Sequence, residues 1–164
     1  MAKDTLDEIA EMWLKSIPDE AGNLAAGNWM AAILPHLSLV QTSPTDTQDT
    51  PVVSFAFTVR PKHCNRMNSL HGGCIASIFD FTTTLSLARI GRPGFWDSLG
   101  VSRSLSVTYL RPAPAGTELL IDCEVVQVGR TLAALRGSIK RRRDGQLVAV
   151  CEHGKVNVDS GPRL

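Results

Sequence analysis

The chain predicts an α+β fold in which an antiparallel sheet of about six strands wraps around one long helix. Three observations lead there. Cys74, Ile75, Ala76, Ile78, Phe79, Phe81, Leu85, Leu87 and Ala88 make one segment apolar on almost every side, the pattern of a helix with little surface for water. Val53, Phe55, Phe57 and Val59 alternate with Ser54, Ala56 and Thr58 before it, as in a half-buried strand. After Gly100 come four more β-branched or alternating stretches, 100–110, 117–128, 131–141 and 146–158, with little chain between them.

In chain order, Thr5 and Glu8 have capping-box spacing, and Leu6, Ile9, Ala10, Trp13 and Ile17 recur on one helical face up to Pro18. Trp29 to Leu34 is a second short helical candidate stopped by Pro35. Together they make residues 1–35 a helical extension packed on a domain of residues 36–164. Leu37 to Gln41 reads as a strand and residues 42–51 as a polar loop leading to the Val53 strand, so the two strands make a hairpin. The apolar helix is expected from Gly72 or Gly73 to Arg89, before Gly91, Pro93 and Gly94. Pro112, Pro114 and Gly116, then Gly129-Arg130, then Asp144-Gly145 punctuate the last four strands, and connections this short predict antiparallel neighbours. A sheet with a single helix leaves a face and an edge to cover, which predicts a homodimer.

The totals bound the function. With 164 residues the chain suits one domain, and 43% hydrophobic with 20% charged residues is an ordinary globular composition. A formal charge of +1 argues against nucleic acid as partner. Residues 1–50 set two lysines against eight acids, whereas the remainder sets fifteen cations against eight acids. That basic body favours an anionic ligand. No stretch suits a membrane span or a targeting signal, so the expected location is cytoplasmic, with an organelle not excluded. Cys64, Cys74, Cys123 and Cys151 lack a disulfide framework. His63, Cys64, His71 and Cys74 cluster, but their spacing matches no familiar zinc pattern, and neither a metal nor a bound cofactor is expected.

Asp80 is the only acid between Thr50 and Trp96. A lone carboxylate in core-like surroundings is costly and calls for a reason. Eight residues earlier, Gly72 and Gly73 open the helix, where the first amides lack intrahelical partners and bare backbone admits a ligand oxygen. Such amides can form an oxyanion hole; equally, Gly-Gly can serve only a tight turn, and Asp80 only a structural bond. Seven residues from Gly73 to Asp80 is about 10 Å along a helix, too far for both groups to reach one carbonyl. Two helices packed antiparallel would bring the Gly72 end of one to Asp80 of the other.

Asn65 through Asp80, with Gly100-Val101-Ser102 and 107–113, resembles the hotdog-fold thioesterase superfamily. The similarity points to its branch of phenylacetate-degradation-type and animal acyl-CoA thioesterase 13-like enzymes, and it covers residues 50–158. The resemblance implies homodimers, often dimers of dimers, that hydrolyse acyl-CoA thioesters at the subunit interface, with coenzyme A entering only as part of the substrate. By position it implies that Asp80 activates water or attacks the carbonyl, that the Gly72 amide polarises that carbonyl, and that Asn65 holds water or thioester. His71 supports the loop, and Ser102 contacts the reacting end from a facing strand. It also implies that CoA lies along 109–113 and 127–131, through Tyr109, Arg111, Pro112, Gln127, Gly129, Arg130 and Thr131, of which the arginines suit phosphate. Lys140 to Arg143 reads as a solvated hairpin end. Asn68 and Ser106 depart from the family pattern, and Asn at 68 suits a left-handed backbone. Other readings on the same fold are a dehydratase or polyketide-pathway enzyme acting on acyl thioesters, and a non-catalytic acyl-CoA-binding protein.

Overall fold

A computed structural model describes residues 29–41 and 52–159. The helix expected from Thr5 to Ile17 lies outside the described residues. The strands are β1 (Leu37–Gln41), β2 (Val52–Thr58), β3 (Val101–Tyr109), β4 (Glu118–Val128), β5 (Leu132–Arg141) and β6 (Leu147–Val156), and the helix is α1 (Gly72–Ser86). They form one six-stranded sheet in the order β1-β2-β4-β5-β6-β3, with every pairing antiparallel. This is the hotdog arrangement, with α1 laid across the concave face.

Alternation decides what that face carries. Val53, Phe55 and Phe57 of β2 and Leu119, Ile121 and Cys123 of β4 are buried, because residues two apart share one side of a strand. Ile75, Ile78 and Phe79 of α1 close on them and are also buried. Phe79 presses on the middle of β5, where a Cβ at Gly137 would stand 2.8 Å from the Phe79 ring and 2.9 Å from Cys151 Sγ. Glycine is needed there for the helix to approach the sheet. Thr82 and Thr83 are buried in the same helix, and their hydroxyls lie within bonding distance of the Ile78 and Phe79 carbonyls.

Three expectations require correction. Residues 29–33 are turns, and the only helical piece there is a 3-10 turn, Leu34–His36, that contains Pro35. Proline's fixed φ suits the start of such a turn, where its missing N–H costs nothing. Beyond Ser86 the long helix tightens into a 3-10 turn, Leu87–Arg89, whose Leu87 carbonyl accepts from both Ile90 and Gly91. Finally, the short connection between β3 and β4 does not make them neighbours, since β3 pairs with β6 at the sheet edge.

The β3–β4 connection is not a hairpin because it has other partners. Leu70 N–H donates to Ala113 O, Ala113 N–H to Ser69 Oγ, Ala115 N–H to Asn68 O and Gly116 N–H to Val59 O. Pro112 and Pro114 have no N–H to give a ladder. The connection therefore crosses beneath the loop that precedes α1 and holds it against the sheet.

Candidate active site

The loop before α1 is organised by its own polar side chains. Asn65 Oδ1 accepts from Met67 N–H (2.9 Å) and Ser69 N–H (3.2 Å), and its main chain pairs with Ser69 O and Asn68 N–H. Asn68 takes φ 54°, the left-handed conformation that asparagine tolerates. His71 is the N-cap of α1, with Nδ1 accepting the Gly73 N–H at 2.9 Å. The Gly72 amide opens the helix and so has no intrahelical partner. The Tyr109 ring lies over it, its hydroxyl donating to Gly72 O at 3.1 Å and its edge 3.4 Å from where a Gly72 Cβ would be.

Two turns along α1, Asp80 stands on the outward face, its side chain 52% exposed. This corrects the expectation of a buried acid and of a helix enclosed on all sides. Gly73, Ser77, Asp80, Phe81 and Thr84 recur on one stripe of the helix that the sheet does not cover, and each is half-buried or exposed. The absence of other acids nearby reflects the opposite, sheet-facing side.

Asp80 is the end of a hydrogen-bonded row. Ser102 Oγ donates to Asp80 Oδ1 at 2.6 Å, His153 Nε2 lies 2.9 Å from Ser102 Oγ and 3.5 Å from Asp80 Oδ1, and His153 Nδ1 lies 2.7 Å from Thr83 Oγ1. With the serine hydrogen on the carboxylate, Ser102 Oγ accepts from His153 Nε2–H, and the single Thr83 hydroxyl hydrogen is shared between Nδ1 and Phe79 O. Burial pushes the His153 pKa down to about 4, and the Lys155 charge adds to that, outweighing the opposing pull of Asp80. The imidazole is therefore neutral at physiological pH and acts through its dipole. Lys155 lies one inward position further along β6, 2% exposed, with Nζ donating to Thr84 Oγ1 at 2.7 Å. Burial lowers its pKa to about 8 against the raising influence of Asp80.

His153 and Lys155 are absent from the sequence-derived site. The signal available is the inward alternation of β6, where Ala149, Cys151, His153 and Lys155 share one side. Two ionisable residues in a core-facing set are unusual enough to mark a site.

The remaining expected residues divide. Asp80 and Ser102 meet, whereas Gly72 is eight residues from Asp80, about 12 Å by helical rise. Asn65 and His71 stay at the Gly72 end. The two proposed CoA segments lie at opposite ends of the sheet. Tyr109 pairs with Ala149, while Val128 pairs with Ala133, whose β6 partner is Lys155 opposite Ser102. Near the first segment, Arg111 donates to Leu147 O. In the second, Gly129 O accepts from Trp96 Nε1, the Arg130 carbonyl accepts from Asn157 Nδ2, and Thr131 O accepts from Asn157 N–H. Gln127 sits at the β-bulge opposite Ala134, and Pro112 lies in the crossing connection. One chain does not unite these segments.

The His-Cys cluster is structural where it can be followed. His63 Nδ1 accepts from Arg60 N–H and Nε2 bonds to Ala32 O, so both nitrogens are engaged. Burial raises the Cys74 pKa to about 11, unfavourable for a nucleophile. Lys140, Arg141 and Arg143 pair with Asp122 and Asp144 at the hairpin end. An open groove of about 580 Å³ lies beside that hairpin, away from Asp80. Asp80 faces a cleft of about 270 Å³ shared with Phe81, Thr84, Val101, Ser102 and Lys155.

The chain is similar to known proteins in sequence and in fold. A family model described as "Thioesterase superfamily" matches residues 67–148, a span that includes Gly72, Asp80 and Ser102. Mouse acyl-coenzyme A thioesterase 13 is 32% identical over 97 residues, 59% of this chain and 66% of that protein. A Caenorhabditis elegans putative esterase is 33% identical over 106 residues, 65% of this chain and 60% of that one. The chain thus spans a little under two thirds of these relatives. Among solved structures, zebra fish thioesterase superfamily member 2 superposes with TM-score 0.74 at 24% identity, covering 93% of this chain and 97% of that one. A Streptococcus pneumoniae hypothetical thioesterase with coenzyme A gives TM-score 0.63 at 21% identity, covering 75% and 87%. Site motif, sheet order and family match coincide, and the chain belongs to the thioesterase superfamily.

Proposed function

We propose that this protein hydrolyses acyl-CoA thioesters at a site completed by two copies of the chain. The observation that carries the reading is the Asp80–Ser102–His153 row facing an open cleft, while the Gly72 amide, the natural partner for a carbonyl oxygen, lies two turns away on the same helix. One copy supplies the carboxylate and a second supplies the amide. Among the described residues, the unpaired edge of β3 and the stripe of α1 that the sheet leaves open favour that assembly, as do Val101, Tyr109 and Leu110, which are 51%, 53% and 45% exposed. A second pairing would give the dimer of dimers.

In this reading the thioester oxygen accepts from Gly72 N–H, which strengthens as the oxygen gains charge. Asp80, oriented by the Ser102 hydroxyl, takes a proton from water as the water oxygen attacks the carbonyl carbon; direct attack by Asp80 is the variant mechanism. The carbon–sulfur bond then breaks and the thiolate collects a proton. Neutral His153 fixes which way the Ser102 hydroxyl points. Arg111 from one end of the sheet and Arg130 from the other would meet the CoA phosphates from different copies. Hydrolysis is favoured over dehydration because His71 Nδ1 is committed to Gly73 N–H. CoA is favoured as the thiol because relatives are named for it and solved neighbours carry coenzyme A or acetyl CoA. The described cysteines are all free, which suits a reducing compartment such as the cytoplasm.

The test is thiol release across an acyl-CoA panel with wild type and Asp80→Asn. The variant should keep its fold and assembly and lose about 10²-fold or more in kcat. Wild-type turnover in a folded, assembled Asp80→Asn protein would falsify the assignment, and tight acyl-CoA binding without release by the wild type would favour a binding protein instead.

A further inference from the structure

We propose that Lys155 selects the acyl group, its ammonium donating to an oxygen carried on the acyl chain, so that the preferred substrates are short acyl thioesters bearing a carboxylate or hydroxyl. The inference rests on the hydrolase reading above and names its substrate class.

Lys155 is 2% exposed and borders the same cleft of about 270 Å³ as Asp80. Its Nζ has three donors, and among the described residues Thr84 Oγ1 takes one. Among the described residues no carboxylate lies within ion-pair distance of it, and the Thr84 hydroxyl hydrogen is itself given to Asp80 O at 2.6 Å. A buried cation whose acceptor among the described residues is a single hydroxyl is an expensive arrangement, and it becomes more favourable when a further acceptor enters the cleft. Purely alkyl chains would bring no such acceptor, and a site built to hydrogen-bond discriminates against the analogue that lacks the acceptor. Among the described residues the remaining wall is apolar or weakly polar, from Phe81, Leu85, Gly100 and Val101, and Lys155 is its charged donor.

Position sets the length. Thr84, which anchors the ammonium, is one turn beyond Asp80, about 6 Å along the helix axis. An acceptor a few bonds past the thioester carbonyl therefore meets Nζ while the carbonyl stays beside Asp80. Four- and six-carbon chains bracket that reach.

The experiment compares kcat/KM of the full-length protein for butanoyl-CoA against succinyl-CoA, and for hexanoyl-CoA against its 6-carboxylate and 6-hydroxy counterparts. Wild type should prefer the oxygen-bearing member of at least one length by about tenfold or more, the scale of a hydrogen bond to a charged group. Lys155→Met should remove that preference, lowering turnover of the oxygenated chain more than that of the plain one. Lys155→Gln retains a neutral donor and should keep part of the hydroxyl preference while losing the carboxylate one. No wild-type preference at either length would overturn the proposal. So would an equal loss on both members of a pair in Lys155→Met, since that is the mark of a residue acting only through Asp80. If Lys155→Met does not fold, the wild-type preference and Lys155→Gln decide. If no thioester is turned over at all, the hydrolase reading fails on its own. The affinities of the same matched pairs, measured by calorimetry, then read the Lys155 claim separately, with equal affinities counting against it.

Discussion

The two ends of the site use polar residues in opposite ways. In the loop at the start of α1, Asn65 and His71 spend their side-chain acceptors on amides within four residues. On β3 and β6, Ser102, His153 and Lys155 reach across to residues of α1 that are 22, 70 and 71 positions away in the chain. The first region is a conformational device that fixes where α1 begins, at Gly72. The second is an electrostatic device, in which strand side chains hold a carboxylate, a neutral imidazole and an ammonium beside one helix. A change in the loop should be felt mainly as stability and placement, and a change on the strands mainly as chemistry.

Several substitutions break or sharpen that contrast. The largest stability effect belongs to neither region: Phe79→Ala removes the side chain that wedges both against the sheet. It should cost about 3–5 kcal/mol, read by denaturant unfolding, and both functions should fall together. Ser102→Ala should lower kcat by roughly 10- to 100-fold, the value of a hydrogen bond to a charged group, with little change in melting temperature. An equal fall in KM and kcat with loss of fold would contradict the division. His71→Ala should cost about 1 kcal/mol, as for other lost N-caps, with a smaller kinetic effect than Ser102→Ala.

Comparing the pH profiles of wild type and single variants isolates the strand region from His36 and His63, whose pKa values burial also lowers. His153 has a folded pKa of about 4 against 6.5 unfolded, so between those values the unfolded chain holds more protons and stability rises with pH. Acidification through that window should therefore destabilise wild type more than His153→Gln. Lys155, at about 8 against 10.5, has the same sign, so its own contribution climbs between pH 8 and 10.5, against the fall expected from Cys74, Cys123 and Cys151, whose thiol pKa values burial raises. Melting temperatures across both windows check this, and a difference between wild type and Lys155→Met that stays constant over the second would mean that burial does not disfavour the Lys155 cation.

Legibility followed sequence distance. The Asn65–Asp80 run could be read because loop, cap and carboxylate are close in the chain, and Asn68 and Gly72 each have a backbone reason to be what they are. His153 is less legible, because the inward phase of β6 sets it among apolar residues and nothing local to the strand names its partners. The exposure of Asp80 is hidden for a related reason: composition averages around a helix, while packing acts on one side of it.

By itself the sequence determined the elements and most of their ends, since alternation, helical periodicity, prolines and turn glycines act over a few residues. It also marked Asp80 and Gly72 and, through helical rise, their separation. Tertiary structure alone decided that β3 pairs with β6, because the competing partners of the 110–117 connection lie in the loop before α1. It alone placed Ser102, His153 and Lys155 around Asp80. Side chains from separate strands converge only when register and sheet order are set, and no local spacing records either.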